Sequence, residues 1–149
     1  MTDSRHTPPA MAAAAPLSDD DRALVEAALA VRARAYAPYS HFHVGAAARD
    51  EHGRVHLGCN VENAAYGECV CAEANAIGAL VVAGGRRLAA IAVAGGPADG
   101  APVACPPCGG CRQRIAELGG PDTRVLMVRA EGDVEVTDPD RLLPGAFRL

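Results

Sequence analysis

Cys71, Ala72 and Glu73 place a thiol and a carboxylate two residues apart, and 37 residues beyond Cys71 the run Pro107-Cys108-Gly109-Gly110-Cys111 adds a C-x-x-C after proline. Thiolates are soft ligands suited to zinc, and a zinc held by three protein ligands keeps a position open for water, whereas four close the site. Zinc lowers the pKa of such a water to about 7, which makes hydrolysis feasible at neutral pH. Expelling an amine also needs a proton carrier, and Glu73 is the carboxylate placed to serve.

The elements that position these groups can be read from the flanking pattern. Ile77, Leu80 and Val81 follow Glu73 at helical spacing and Gly84-Gly85 ends the run, which predicts a helix opening at Cys71 to Glu73. A second helix is predicted over Cys108 to Leu118, stopped by Gly119-Gly120, with Cys108 and Cys111 on one face of its first turn. Helix N-termini carry partial positive charge and favour thiolates, so both ligand sets fall where they are stabilised.

The rest of the chain supplies a scaffold. Ser18 reads as an N-cap with Asp19, Asp20 and Asp21 in the first turn of a helix reaching about Ala35. Tyr36 to Ser40 is a turn signal, followed by a strand around Val44 to Ala48, a hairpin turn at Glu51 to Arg54, and a return strand through Val55, Leu57 and Cys59. Leu88 to Ala94 and Val125 to Val128 read as strands buried on both faces, Val134 to Val136 as an edge strand, and Asp138-Pro139 as the start of a short terminal helix. This order predicts an α/β fold, a three-layer α/β/α sandwich with a mixed central sheet. Gly45 and Gly58 are expected at close backbone approaches or strand bends.

Composition narrows the partners. With 149 residues, half of them apolar, the chain is expected to form a single domain over 17–149, preceded by an Ala- and Pro-rich tail over 1–16 that lacks periodicity and is expected to be disordered. A net charge of −4 without a basic cluster argues against nucleic acid and for a small-molecule substrate. Six cysteines could form three disulfides, but three are claimed by a metal and no secretory signal is evident, so a reducing cytoplasm is expected. The Ala10 to Ala15 run is too short for a membrane span.

Five segments together resemble the cytidine deaminase family, specifically its small homotetrameric type with three cysteines on zinc. They are Tyr39-Ser40-His41-Phe42-His43-Val44-Gly45-Ala46-Ala47, Gly58-Cys59-Asn60-Val61-Glu62-Asn63-Ala64-Ala65-Tyr66, Cys71-Ala72-Glu73, Pro107-Cys108-Gly109-Gly110-Cys111-Arg112-Gln113, and Leu142-Leu143-Pro144-Gly145-Ala146-Phe147. The resemblance runs from about Tyr36 to Phe147 and keeps the family's order. It implies that Cys71, Cys108 and Cys111 hold one zinc per subunit while Glu73 shuttles protons between water, the pyrimidine N3 and the leaving amine. It further implies that Phe42 packs on the base, Asn60 and Glu62 bind the sugar hydroxyl, and the Ala72 backbone helps fix the base. Ala64, Tyr66 and Phe147 would complete a neighbouring subunit's pocket in a homotetramer. The implied reaction is conversion of cytidine, and of deoxycytidine, to the uridine nucleoside and ammonia in pyrimidine salvage.

The sequence departs from that family at Ala74, where an Arg that donates to the zinc thiolates is usual, and at Glu68 and Cys69, where uncharged apolar or small residues are usual. Three thiolates on a dication leave a net −1, and Arg112 with the two helix termini are the candidates to offset it. These departures keep open a modified cytosine nucleoside, such as blasticidin S, as substrate. A non-catalytic zinc module closed by Cys69 or Cys105 is the alternative of a different class. His41 and His43, alternating on one strand side, are expected to be surface or interface residues.

Overall fold

A computed structural model describes residues 16–130 and 133–149, so the expectation of a disordered tail over 1–16 falls almost wholly outside the described residues. Helix α1 spans Asp19–Arg32, strands β1 and β2 span Phe42–Asp50 and Val55–Cys59, and a short 3-10 turn covers Tyr66–Glu68. Helix α2 spans Ala72–Val82, β3 Leu88–Pro97, α3 Gly109–Leu118, β4 Arg124–Val128, β5 Val134–Thr137 and α4 Pro139–Leu142. The five strands lie in the order β2-β1-β3-β4-β5. The β3/β4 pair is parallel and the other pairs are antiparallel, giving the mixed sheet the sequence predicts.

The sheet is covered on both faces. Leu24, Val25 and Ala28 of α1 pack with Ala47, Ala90, Ala92, Ala94, Leu126 and Val128. On the opposite face Ala72, Ala76, Ile77 and Leu80 of α2 and Ile115 of α3 pack with Ala46, Ala48, Ile91, Val93, Val125 and Met127. Successive strand residues point to opposite faces, so one alanine-rich strand serves both layers. Small side chains let the helices come close. A methyl group on Gly45 would lie 2.1 Å from Ala28 O in α1, and one on Gly58 would lie 2.3 Å from Ala72 O in α2. Both glycines are therefore close-approach positions, as the sequence suggests.

Local chemistry sets the element ends. Ser18 Oγ accepts from Asp21 N and Asp21 Oδ2 accepts from Ser18 N, both at 3.1 Å, a reciprocal cap on α1. The same Asp21, 1% exposed, pairs with Arg124 at 2.9 Å and Arg49 at 3.5 Å, tying α1 to β4 and β1. Helix α1 stops at Arg32 rather than near Ala35, because the N–H groups of Ala33, Arg34 and Ala35 turn to Ala30 O, Val31 O and Arg32 O in tighter three-residue turns. Strand β3 runs on past Ala94, with Gly95, Gly96 and Pro97 paired to Val44, His43 and Phe42. In the β1–β2 hairpin the buried Asp50 accepts from His52 N and Arg54 N on Oδ1, and from Arg54 Nε on Oδ2, which also lies 2.9 Å from His56 Nε2.

Topology then fixes where a site can form. β2 runs antiparallel to β1 and β1 antiparallel to β3, so β2 and β3 end at the same edge of the sheet, where β1 begins. The segments after β2 and β3 lead into α2 and α3, whose N-termini consequently converge there. That edge, beyond the carboxyl ends of strands, is where α/β folds place ligands.

Candidate metal centre and substrate pocket

The convergence brings the three predicted thiols together. Cys71 and Cys108 are the N-cap residues of α2 and α3, and Cys111 sits in the first turn of α3, fully buried. The three Sγ atoms lie within 4.8 Å of one another, and those of Cys71 and Cys108 are 3.7 Å apart. Two sulfurs bound to a tetrahedral zinc at about 2.3 Å would be separated by about 3.8 Å, so this donor set fits zinc in both identity and spacing. Cys108, expected as the first residue of the helix, lies one position before it, because it caps α3 rather than beginning it.

No fourth protein ligand joins them among the described residues. The Cys69 sulfur is turned to the Asn63 backbone, accepting from Asn63 N at 3.3 Å and donating to Asn63 O at 3.7 Å. Cys105 packs beside Phe42 and Gly95, whose missing side chain would lie 2.7 Å from the Cys105 sulfur and 2.9 Å from the Phe42 ring. Burial pushes the Cys105 thiol up to about 11, and the charges of Glu73, Cys71 and Cys108 add to it. The closed four-cysteine alternative thus finds no support in the geometry.

Glu73, in the first turn of α2, is 4% exposed. Burial raises its pKa above the usual carboxylate value, while its own backbone N–H, the Cys111 thiol and the Arg114 charge pull the other way. A carboxyl shifted in this direction holds a proton more readily than an ordinary one. Burial also raises the pKa values of Cys71 and Cys111. At Cys108 burial is outweighed by hydrogen bonds from the Cys111 backbone and from the Cys111 and Cys71 thiols, and the net shift is downward. Crowded thiols resist shedding their protons together, and a dication among them reverses that balance.

Arg112, the sequence candidate for offsetting thiolate charge, is directed elsewhere. Its Nε donates to Pro107 O at 2.9 Å and its Nη1 to Leu142 O at 3.0 Å, and it makes no hydrogen bond to a ligand sulfur. It fastens the Cys108 loop to the chain end, a task Gln113 shares by donating to Phe147 O at 2.8 Å. Arg114 contributes a positive charge that favours the ionised form of Glu73, against the larger effect of burial. The sequence offered one signal for it, its place one helical turn after Cys111 on the same face.

The residues expected to take substrate divide into two groups. Phe42, Asn60, Glu62 and Ala72 lie at the same sheet edge as the thiols, Phe42 at the start of β1 and Ala72 at the start of α2. β2 ends at Cys59, and Asn60 and Glu62 flank Val61, which forms isolated bridges to Tyr36 and Val70. Asn60 Oδ1 accepts from Val44 N at 2.8 Å and its Nδ2 donates to Phe42 O at 3.0 Å. Glu62 Oε2 accepts from Tyr39 N at 2.9 Å and Ser40 N at 3.2 Å, and Oε1 accepts from Ser40 Oγ. The Ser40 hydrogen bond is the main reason Glu62 stays below the usual carboxylate pKa. Tyr66 and Phe147, 79% and 70% exposed, and the exposed Ala64 form no part of this chain's core. His41 and His43 do not share a strand face: His41 occupies the bend before β1 with φ +56°, and His43 lies within β1.

Residues 18–128 match the family described as the cytidine and deoxycytidylate deaminase zinc-binding region. Over 136 residues the chain is 44% identical to a cytidine deaminase of Halalkalibacterium halodurans, covering 86% of this chain and 94% of that one. The crystal structure of cytidine deaminase from Burkholderia pseudomallei superposes with a TM-score of 0.77 at 50% identity, covering 85% of this chain and 98% of that one. That of Mycobacterium tuberculosis gives 0.72 at 41% identity, covering 86% and 97%. Among the described residues no helix is long and apolar enough to cross a membrane.

Proposed function

The chain belongs to the cytidine and deoxycytidylate deaminase family, and from that premise we propose that it is a hydrolase converting cytidine and water to uridine and ammonia. The observation that carries this reading is the three-thiol cluster with a buried carboxyl two residues from one of its members. Cys71, Cys108 and Cys111 would hold the zinc ion, which would supply the Lewis acidity that activates water for attack near neutral pH.

The chain's own residues do the rest. Glu73 takes a proton from the attacking water and passes it to N3 as the C–O bond forms at C4 and the C4=N3 double bond opens, then moves the remaining hydroxyl proton to the amine, so that the C4–N bond breaks as C4=O forms and ammonia leaves. Burial raises its pKa, which favours its holding the proton between transfers. Phe42 offers an aromatic face to the pyrimidine, and the Ala72 backbone at the first turn of α2 offers an N–H to the base. Asn60 keeps one amide N–H, and Glu62 keeps lone-pair capacity, for a sugar hydroxyl.

The substrate is read as a free nucleoside, deoxycytidine as well as cytidine, because among the described residues no cluster of basic side chains or Gly-rich phosphate loop accompanies the site. The plain nucleoside is favoured over a modified one by relatives at 42–44% identity that are cytidine deaminases. One zinc per subunit, a homotetramer in which Ala64, Tyr66 and Phe147 reach a neighbour's pocket, and a cytoplasmic role in pyrimidine salvage complete the reading. The exposure of Tyr66 and Phe147 supports the shared pocket, since neither is accounted for by packing within the chain.

The test is uridine formation and ammonia release from cytidine, with zinc-loaded wild type beside Glu73→Gln. Turnover in the first and a loss of at least about 100-fold in the second are expected, the lower range for removing general acid–base catalysis. Stoichiometric zinc with no turnover in wild type would refute the reading.

A further inference from the structure

Between the two groups that read the sugar and the ring that takes the base stands a residue with no role so far. Ser40 Oγ donates to Glu62 Oε1 and at the same time accepts from Phe42 N at 3.0 Å. Ser40 N donates to Glu62 Oε2 at 3.2 Å, as Tyr39 N does at 2.9 Å. Phe42 O is held in turn by Asn60 Nδ2 at 3.0 Å. The backbone at Phe42 is thus gripped on its N–H side through Ser40 and on its carbonyl side through Asn60. His41, between Ser40 and Phe42, adopts φ +56°, a left-handed conformation that a non-glycine residue keeps only where its surroundings enforce it. The hydroxyl at 40 spans that bend from both sides.

We propose that Ser40 is a positioning residue for the deamination reaction, its hydroxyl joining the Glu62 carboxylate to the Phe42 backbone so that sugar contact and base platform are set as one unit. This rests on the reading of the site given above. A serine hydroxyl has one donor and two acceptor sites, and here the donor fixes the carboxylate while one acceptor fixes the strand start. With the hydroxyl removed, Glu62 keeps its two backbone donors but Oε1 is released to rotate, and Phe42 N loses its partner. The deficit should therefore be greatest for a substrate whose sugar hydroxyls use Glu62.

The experiment compares wild type, Ser40→Ala and Ser40→Thr on cytidine and on 2′,3′-dideoxycytidine, with zinc content and thermal midpoint recorded for each. Expected for Ser40→Ala on cytidine is a KM raised roughly 10-fold with kcat much less affected, the size of one hydrogen bond to a charged group. On the dideoxynucleoside the same variant should change KM clearly less, and Ser40→Thr, which keeps the hydroxyl, should restore cytidine KM to near wild type. Equal losses on both substrates, an unchanged KM, or no recovery with threonine would overturn the proposal. Should Ser40→Ala fail to fold, Ser40→Cys, with a weak donor of similar size, carries the same comparison. Wild type that turns over neither nucleoside would instead count against the functional reading, so the two failures are separable.

Discussion

The α-carbon of Gly58 faces Ala72 O so closely that a methyl group there would lie 2.3 Å from that oxygen and 2.4 Å from Ala76 N. Strand β2 and helix α2 therefore touch backbone to backbone one residue from Cys71 and from Glu73. Gly58→Ala must push α2 outward, since neither clash is with a flexible side chain. Overpacking of this kind costs about 1–3 kcal/mol, and a displacement of about 1 Å at a reacting group can cost on the order of 100-fold in rate. A lowered thermal midpoint together with a larger fall in kcat/KM is expected, and a variant as active as wild type would show that this contact does not set the helix.

Arg112 separates two explanations of one phenotype. If its value is charge near the thiolates, Arg112→Lys should preserve zinc affinity. The hydrogen bonds to Pro107 O and Leu142 O point instead to geometry, a fork that a lysine cannot reproduce across two carbonyls. Both Arg112→Ala and Arg112→Lys are expected to lose zinc to a competing chelator about 10-fold more readily, the lower range for disturbing groups that orient metal ligands. Retention by the lysine variant would restore the charge explanation.

Asp50 makes stability depend on acidity. Burial alone would raise its pKa, but the bonds from His56, Arg54 and His52 win and hold it well below the carboxylate range. The folded state thus prefers the ionised form, and the stabilisation is fully present above the unfolded-state value of about 3.9. It is lost as pH falls below that and through the folded-state value. Asp50→Asn should be less stable than wild type at pH 7, by urea denaturation, and the gap should narrow below about pH 4. A gap independent of pH would mean that the carboxylate's charge is not what matters.

Legibility followed the range of the interactions involved. The Ser18 cap, the ends of α2 and α3 and the hairpin at Glu51 to Arg54 are written in residues a few positions apart, and periodicity revealed them. The three thiols and Glu73 were legible because soft-ligand spacing is a chemical pattern independent of the fold. Side-chain partners distant in sequence were not. The ties of Asp21 to Arg49 and Arg124, of Arg112 to Leu142 O, and of Glu62 to Ser40 span 28, 103, 30 and 22 residues, respectively, and no local pattern announces them. The extension of β3 through Gly95 and Gly96 was hidden for a related reason, since glycine reads locally as a break and only the pairing with β1 carries the strand on.

Helix α1 is closed by the hydroxyl of Ser18, whereas α2 and α3 begin on cysteines whose side chains make no capping bond. An oxygen at an N-cap is worth about 0.5–2 kcal/mol over a residue that cannot accept. Replacing Cys71 or Cys108 with serine would supply that oxygen while removing a soft ligand. A chain shaped only to resist heat would be drawn to serine at both places, and would lose two of the three thiols that converge at this end of the sheet. At these two positions durability and reactivity ask for different elements, oxygen for the one and sulfur for the other.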